Sequence, residues 1–167
     1  ALAAVLDGIH RGLTDGRLQP IDPIGRQFQI GDGGGDPVHR LAVVPGQMKF
    51  DLSELTVAPN QTVEIVFVNP DGMQHNFVLG AQGSLETLGA AADIGARSPN
   101  GLAQQYVPDI PQVLFSNQLV EPGQTVTFQF RAPSDPGRYP YLCTFPAHWR
   151  VMNGILNVVQ PQGRGGR

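Results

Sequence analysis

The spacing of apolar residues along this chain changes once, and the change marks its main structural boundary. Over residues 1–13, Leu2, Val5, Leu6, Ile9 and Leu13 recur at helical spacing, which predicts a short amphipathic helix. From His39 onward the period is two. In 62–68, Val63, Ile65 and Phe67 share one face, and in 125–130, Val126, Phe128 and Phe130 alternate with Thr and Gln. This pattern predicts strands over 40–44, 47–50, 55–58, 62–69, 75–79, 113–119, 125–131, 138–143 and 155–159. Turn sequences separate them: Asn69-Pro70-Asp71-Gly72, Glu121-Pro122-Gly123 and Ser134-Asp135-Pro136-Gly137. Residues 84–96, rich in Ala and Leu, predict one helix or two short ones, ended by the Gly, Pro and Asn of 95–101. Many short strands predict an all-β fold: a Greek-key β-sandwich with one inserted helical segment and a short N-terminal helix.

Composition then fixes the organisation. A chain of 167 residues suits one domain with extensions and is long enough to bury a core. Residues 14–37 carry Pro20, Pro23 and a GDGGGD run and read as a connector. No Lys-Ser/Thr pair follows those glycines, so they do not make a phosphate loop. The expected division is therefore 1–37 as helix and linker, 38–160 as the main domain and 161–167 as a flexible tail. A net charge of −3 offers no footprint for nucleic acid or an anionic membrane, and no apolar run is long enough to span one. The opening ALAAVLDGIHRGL lacks the basic start of a secretion signal. We therefore expect that a signal has been removed or that the chain is part of a larger protein.

The chemistry concentrates in one segment. Cys143-Thr-Phe-Pro-Ala-His148-Trp-Arg-Val-Met152 follows one expected strand and precedes another, so it reads as a loop at an end of the sandwich. Taken singly, its members are ordinary: a lone cysteine is usually a small buried hydrophobe and a lone methionine is usually core. Cys143 is the only cysteine, so it is no disulfide staple. Together, thiolate, imidazole and thioether form the soft donor set that suits copper cycling between two oxidation states. A blue-copper centre requires a second imidazole. His75, directly after the Asn69–Gly72 turn, is the best candidate, while His10 and His39 read as non-ligands.

CTFPAHWRVMNG at 143–154 has the form Cys-x4-His-x3-Met-x-Gly and resembles the ligand loop of the azurins. QMKFDLSELTV at 47–57 and MQHNFVLG at 73–80 resemble two further azurin segments, in the same order, and the inserted helix falls where azurins have one. The resemblance covers about residues 45–160. It implies a cupredoxin fold of the plastocyanin/azurin family and a single type 1 copper. His75 and His148 would supply nitrogens, Cys143 the thiolate and Met152 a long axial bond. It also implies that Asn76 ties its strand to the ligand loop and that the Phe145 amide donates to the cysteine sulfur. The chain departs from azurins in carrying Gln74 for a glycine and Phe77 for a tryptophan, and in lacking a disulfide.

The expected function is single-electron transfer, as a small carrier or as the electron-transfer domain of a larger redox protein. Expected partners are redox proteins such as a cytochrome or dehydrogenase, in the bacterial periplasm or another extracytoplasmic space. An edge of His148 is expected to meet them inside an apolar patch with Met48, Met73, Phe145, Pro146, Ala147 and Trp149. Arg150 adds a cation to that patch and should favour an acidic partner. The alternatives are a domain of a copper-dependent oxidase or nitrite reductase, which needs more histidines than His10 and His39 supply, and a copper-delivery protein. Delivery usually relies on Met- or His-rich tracts, and the three Met here are scattered.

Overall fold

The computed structural model describes residues 11–14, 17–20 and 38–161, with side chains from 38 to 161. Two short strands, β1 (Arg11–Thr14) and β2 (Arg17–Pro20), pair antiparallel, with Thr14 opposite Arg17. The helix expected over 1–13 lies mostly outside the described residues, and its last three positions are in strand. The sequence between the paired strands, Asp15-Gly16, is a favoured two-residue hairpin signal that outweighs one turn of helical spacing. Part of the expected linker is therefore β-structure.

The remaining elements form the sandwich. They are β3 (Val38–Val44), β4 (Lys49–Phe50), β5 (Glu54–Val57), β6 (Thr62–Val68), β7 (Val78–Gly80), α1 (Leu85–Ala96), β8 (Val113–Ser116), β9 (Thr125–Arg131), β10 (Gly137–Leu142) and β11 (Asn153–Val158). One sheet runs β5-β11-β10-β7-β8 and the other β4-β3-β6-β9. The β3–β6 and β5–β11 pairs are parallel and the other pairs of these two sheets antiparallel. The period-two pattern explains the core: Leu41, Val43, Val63, Ile65 and Phe67 of one sheet meet Leu79, Tyr139, Tyr141, Leu156 and Val158 of the other.

α1 covers the far side of the larger sheet. Its Leu88 joins a second buried cluster with Val78, Leu142 and Trp149. Gly89 is required there, because a Cβ at that position would stand 2.2 Å from Cδ2 of the Trp149 ring.

The strand expected over 75–79 is interrupted. His75 makes only an isolated bridge to Val120, through N–H···O bonds of 3.2 and 2.8 Å. The Phe77 amide is taken by the Asn117 side chain at 2.6 Å, so the ladder proper begins at Val78. The break lets two adjacent side chains, His75 and Asn76, turn toward one end of the sandwich.

Candidate metal centre

β10 and β11 pair through to Leu142 opposite Asn153. The connecting loop therefore starts at Cys143 and ends at Met152, and the Cys143 amide donates to the Met152 carbonyl at 3.0 Å. Inside the loop, the amides of Val151 and Met152 both donate to the His148 carbonyl, at 3.1 and 2.9 Å, and the His148 amide donates to Phe145 at 3.0 Å. Ala147 takes a φ of 69°, a conformation uncommon outside glycine, which turns the chain sharply just before His148. The sequence thus builds a tightly wound turn whose carbonyls and amides are used internally.

This turn and the broken strand bring three donors together. Sγ of Cys143 lies 3.6 Å from Nδ1 of His148 and 3.8 Å from Nδ1 of His75. All three residues are buried, and their donor atoms lie within 4.8 Å of one another. The two imidazole rings stand 4.9 Å apart, and the Phe145 ring packs against His148 at the same separation, tilted by 45°. Met152 is fully buried in the core beside Cys143, its backbone bonded to both Cys143 and His148. Among the described residues no other group of His, Cys, Asp or Glu has metal-holding geometry. His39 sits half-buried in β3 outside the cluster, and His10 lies outside the described residues.

The surroundings set the protonation of the cluster. Burial pushes the Cys143 thiol up to about 12, partly opposed by the Asn76 and Phe145 amides that donate toward its sulfur. Burial lowers His148 to about 4, with His75 adding to the shift and Asp71 opposing it. Burial also lowers His75, again opposed by Asp71. Without metal, the site therefore holds a neutral thiol and two neutral imidazoles at neutral pH.

Comparison with known proteins decides what this pocket belongs to. A family model described as "Copper binding proteins, plastocyanin/azurin family" matches residues 38–159. The chain belongs to the plastocyanin/azurin family. It is 37% identical over 114 residues to Auracyanin-A of Chloroflexus aurantiacus, covering 67% of this chain and 68% of the relative. Auracyanin-B of the same organism is 30% identical over 150 residues, covering 84% of this chain and 63% of the relative's length. The solved structure of auracyanin A, described as a "blue" copper protein, superposes with a TM-score of 0.66 at 33% identity, over 75% of this chain and all of that one. The cupredoxin fold and the copper cofactor follow from this membership, and proteins of this family carry single electrons.

The donor set fits the cofactor. With bond lengths of about 2.0 Å to nitrogen and 2.3 Å to sulfur, as zinc shows, a trigonal ion spans about 3.7 Å between S and N donors. The observed edges are 3.6 and 3.8 Å. Both supporting contacts expected from the family are present. Asn76 bonds the Thr144 amide and hydroxyl, and the Phe145 amide points to the thiol sulfur.

Two expectations about the surface fail. Trp149 is only 5% exposed: its ring packs on Gly89 and its indole N–H donates to Asp93 of α1 at 3.1 Å. An inserted helix supplies both the apolar seat and the polar partner, so the indole turns inward. Arg150 is no free cation. Its guanidinium pairs with Asp93 at 2.8 Å and lies over the Trp149 ring, 4.4 Å from its centre. His148 itself keeps just 2% of its surface exposed, while Ala147, Met48 and Met73 are exposed.

Sequence reasoning missed three participants. Asp71 was visible only as a turn residue, yet its carboxylate stands 3.3 Å from Nε2 of His75. Gln105 accepts a bond from Asn76 through its carbonyl and holds the Leu119 amide with its side chain. Asp93 anchors the loop to α1. Only the i,i+4 spacing of Asp71 and His75 offered a local hint.

Proposed function

We propose that His75, Cys143 and His148 would hold one copper ion, with Met152 as a further, weak donor, and that the chain shuttles single electrons between redox proteins. The observation that carries this reading is the buried Nδ1–Sγ–Nδ1 triangle at the end of the sandwich. When bound, copper supplies a one-electron couple. The chain holds the donors so that little need move when the charge changes. Cys143 and His148 sit on a turn closed by its own backbone bonds, and His75 is fixed by its bridge to Val120. Burial of all three excludes water, which would otherwise reorganise around the ion.

We read the chain as a carrier and not an enzyme, working outside the cytoplasm with a cytochrome or a dehydrogenase as the kind of partner that fits. The compartment is supported by the family resemblance and by a lone thiol that ligation would protect from oxidation. Residues 38–160 make up the carrier domain in this reading, with 1–37 as its connecting segment and 161–167 as a tail. The extent of the family match supports this division.

The test is copper(II) loading followed by visible spectroscopy. The parent chain should turn intensely blue through thiolate-to-copper charge transfer, and Cys143→Ser should lose that band. A parent protein that binds copper without the band would overturn the reading.

A further inference from the structure

We propose that Asp71 is a positioning residue of this centre: its carboxylate accepts a hydrogen bond from the Nε2–H of His75, fixes the orientation of that ring, and by its charge biases the site toward the oxidised ion. The inference rests on the copper site described above and adds a residue to it that sequence did not suggest.

The geometry is specific. Nδ1 of His75 faces the Cys143 sulfur at 3.8 Å, so a metal-bound ring carries its proton on the opposite nitrogen, Nε2. That nitrogen faces Oδ2 of Asp71 at 3.3 Å. The His75 side chain is wholly buried and that of Asp71 is 10% exposed, so water has little room to compete for the proton.

The carboxylate is itself held in place. Its other oxygen, Oδ1, accepts the Gly72 amide at 2.8 Å and the Gly46 amide at 3.3 Å. Gly46 has a φ of +69°, which suits glycine and aims its N–H across from the β3–β4 turn. The Asp71 amide is fixed by Asn69 Oδ1 at 3.1 Å, and Asn69 in turn donates to the carbonyls of Met73 and Val120 at 2.8 and 2.9 Å. Two turns thus present one free carboxylate oxygen to one ring nitrogen. The Gly72 and Gly46 amides both donate to this carboxylate, which like an ordinary aspartate is charged at neutral pH.

A backbone carbonyl in this place would orient the ring without adding charge. A carboxylate does both, since it raises the donor strength of the imidazole and favours the more positive oxidation state of the ion beyond it. Losing the charge should therefore make the site easier to reduce.

The experiment compares the copper-loaded parent chain with Asp71→Asn and Asp71→Glu by poising each against a redox mediator. Asp71→Asn should keep the visible band and shift the oxidised-to-reduced ratio about tenfold toward reduced, about 59 mV for a one-electron couple. Asp71→Glu should stay within about threefold of the parent. In the parent loaded with copper(I), proton NMR should show the Nε2 proton of His75 protected from solvent exchange. This measurement stands even where Asp71→Asn does not fold. A ratio in Asp71→Asn within twofold of the parent, with the band intact, would overturn the proposal. So would a His75 proton in the parent that exchanges freely. A parent without the blue band would instead remove the copper site, and this inference with it.

Discussion

Asn76 and Thr144 are joined in both directions, the Thr144 amide donating to Asn76 Oδ1 at 2.8 Å and Asn76 Nδ2 donating to Thr144 Oγ1 at 2.9 Å. Both residues are fully buried, and each neighbours a candidate ligand, His75 in one case and Cys143 in the other. The pair therefore sets the distance between the two segments that supply the metal donors. A further bond from Asn76 to the Gln105 carbonyl, 3.0 Å, draws a third loop into the same knot. Asn76→Ala would leave the buried Thr144 amide and hydroxyl without their partner and the part-buried Gln105 carbonyl without its donor. At about 1–3 kcal/mol for each such group, the loss should be about 3 kcal/mol or more. Denaturant unfolding of the metal-free protein checks this, and a loss below about 1 kcal/mol would show that the knot is not what holds the segments together.

Met152 lies in the core beside Cys143, and its backbone closes the loop through bonds to Cys143 and His148. Those backbone bonds survive substitution of the side chain, so Met152→Leu should fold and stay blue. Leucine offers no lone pair to offset the greater charge of the oxidised ion and makes the site more apolar, so the reduction potential should rise. The expected shift is about tenfold in the oxidised-to-reduced ratio, read against a mediator. An unchanged potential would remove Met152 from the axial position. His75→Ala, by contrast, should lose the blue band.

Much of this was legible in the sequence because it is local. Alternation marked β6 and β9 to within a residue of their ends, and the order Cys143, His148, Met152 marked one loop between strands. The 84–96 segment is α1. What sequence did not show depends on where the turns meet. The role of Asp71 exists only because the Gly46 turn and the His75 bridge fix two segments side by side. The inward turn of Trp149 depends on Gly89 and Asp93, far away in sequence and adjacent only after α1 packs on the sheet. Helical spacing in 1–13 misled at its end, where an Asp-Gly turn signal lies just beyond the apolar pattern.

The Asp93 latch changes what Arg150 contributes to partner binding. The Arg150 side chain is 59% exposed, but its charge is matched by Asp93 and its stem is spread over Trp149. The parent should therefore show only weak salt dependence when it exchanges electrons with an acidic partner protein. Asp93→Ala should free the cation and make that rate fall more steeply as salt rises, because exposed charges are screened over about 8 Å at physiological ionic strength. The same variant strips the indole N–H of its partner and should lower the melting temperature. Ala147→Asp is the companion test of where electrons leave. Position 147 is exposed and has a φ that Asp tolerates, so the fold should hold while both self-exchange and partner reduction slow. Equal salt dependence in the parent and Asp93→Ala would show that the latch does not mask the charge.

Copper uptake should depend on pH in a way the metal-free site dictates. Around neutrality Cys143 is a neutral thiol, pushed up to about 12, and both imidazoles are neutral, with His148 lowered to about 4. The bound form needs a thiolate and two neutral rings, so loading expels one proton. The apparent association constant should then rise about tenfold per pH unit through the neutral range. At lower pH the rings protonate as well, and the dependence should steepen. The same shifts act on folding. Each imidazole is lowered in the folded state, so between that value and the unfolded value near 6.5 the unfolded chain carries more protons. Stability of the metal-free protein is thus fully present above about 6.5 and falls as pH drops through this window. Bound copper, which would keep each ring from taking up a second proton, should oppose that loss. Competition titrations with a chelator, corrected for its own protonation, and melting curves at pH 7 and 5 measure the two effects. A copper affinity independent of pH from 6.5 to 8 would mean that Cys143 is already a thiolate before the metal arrives.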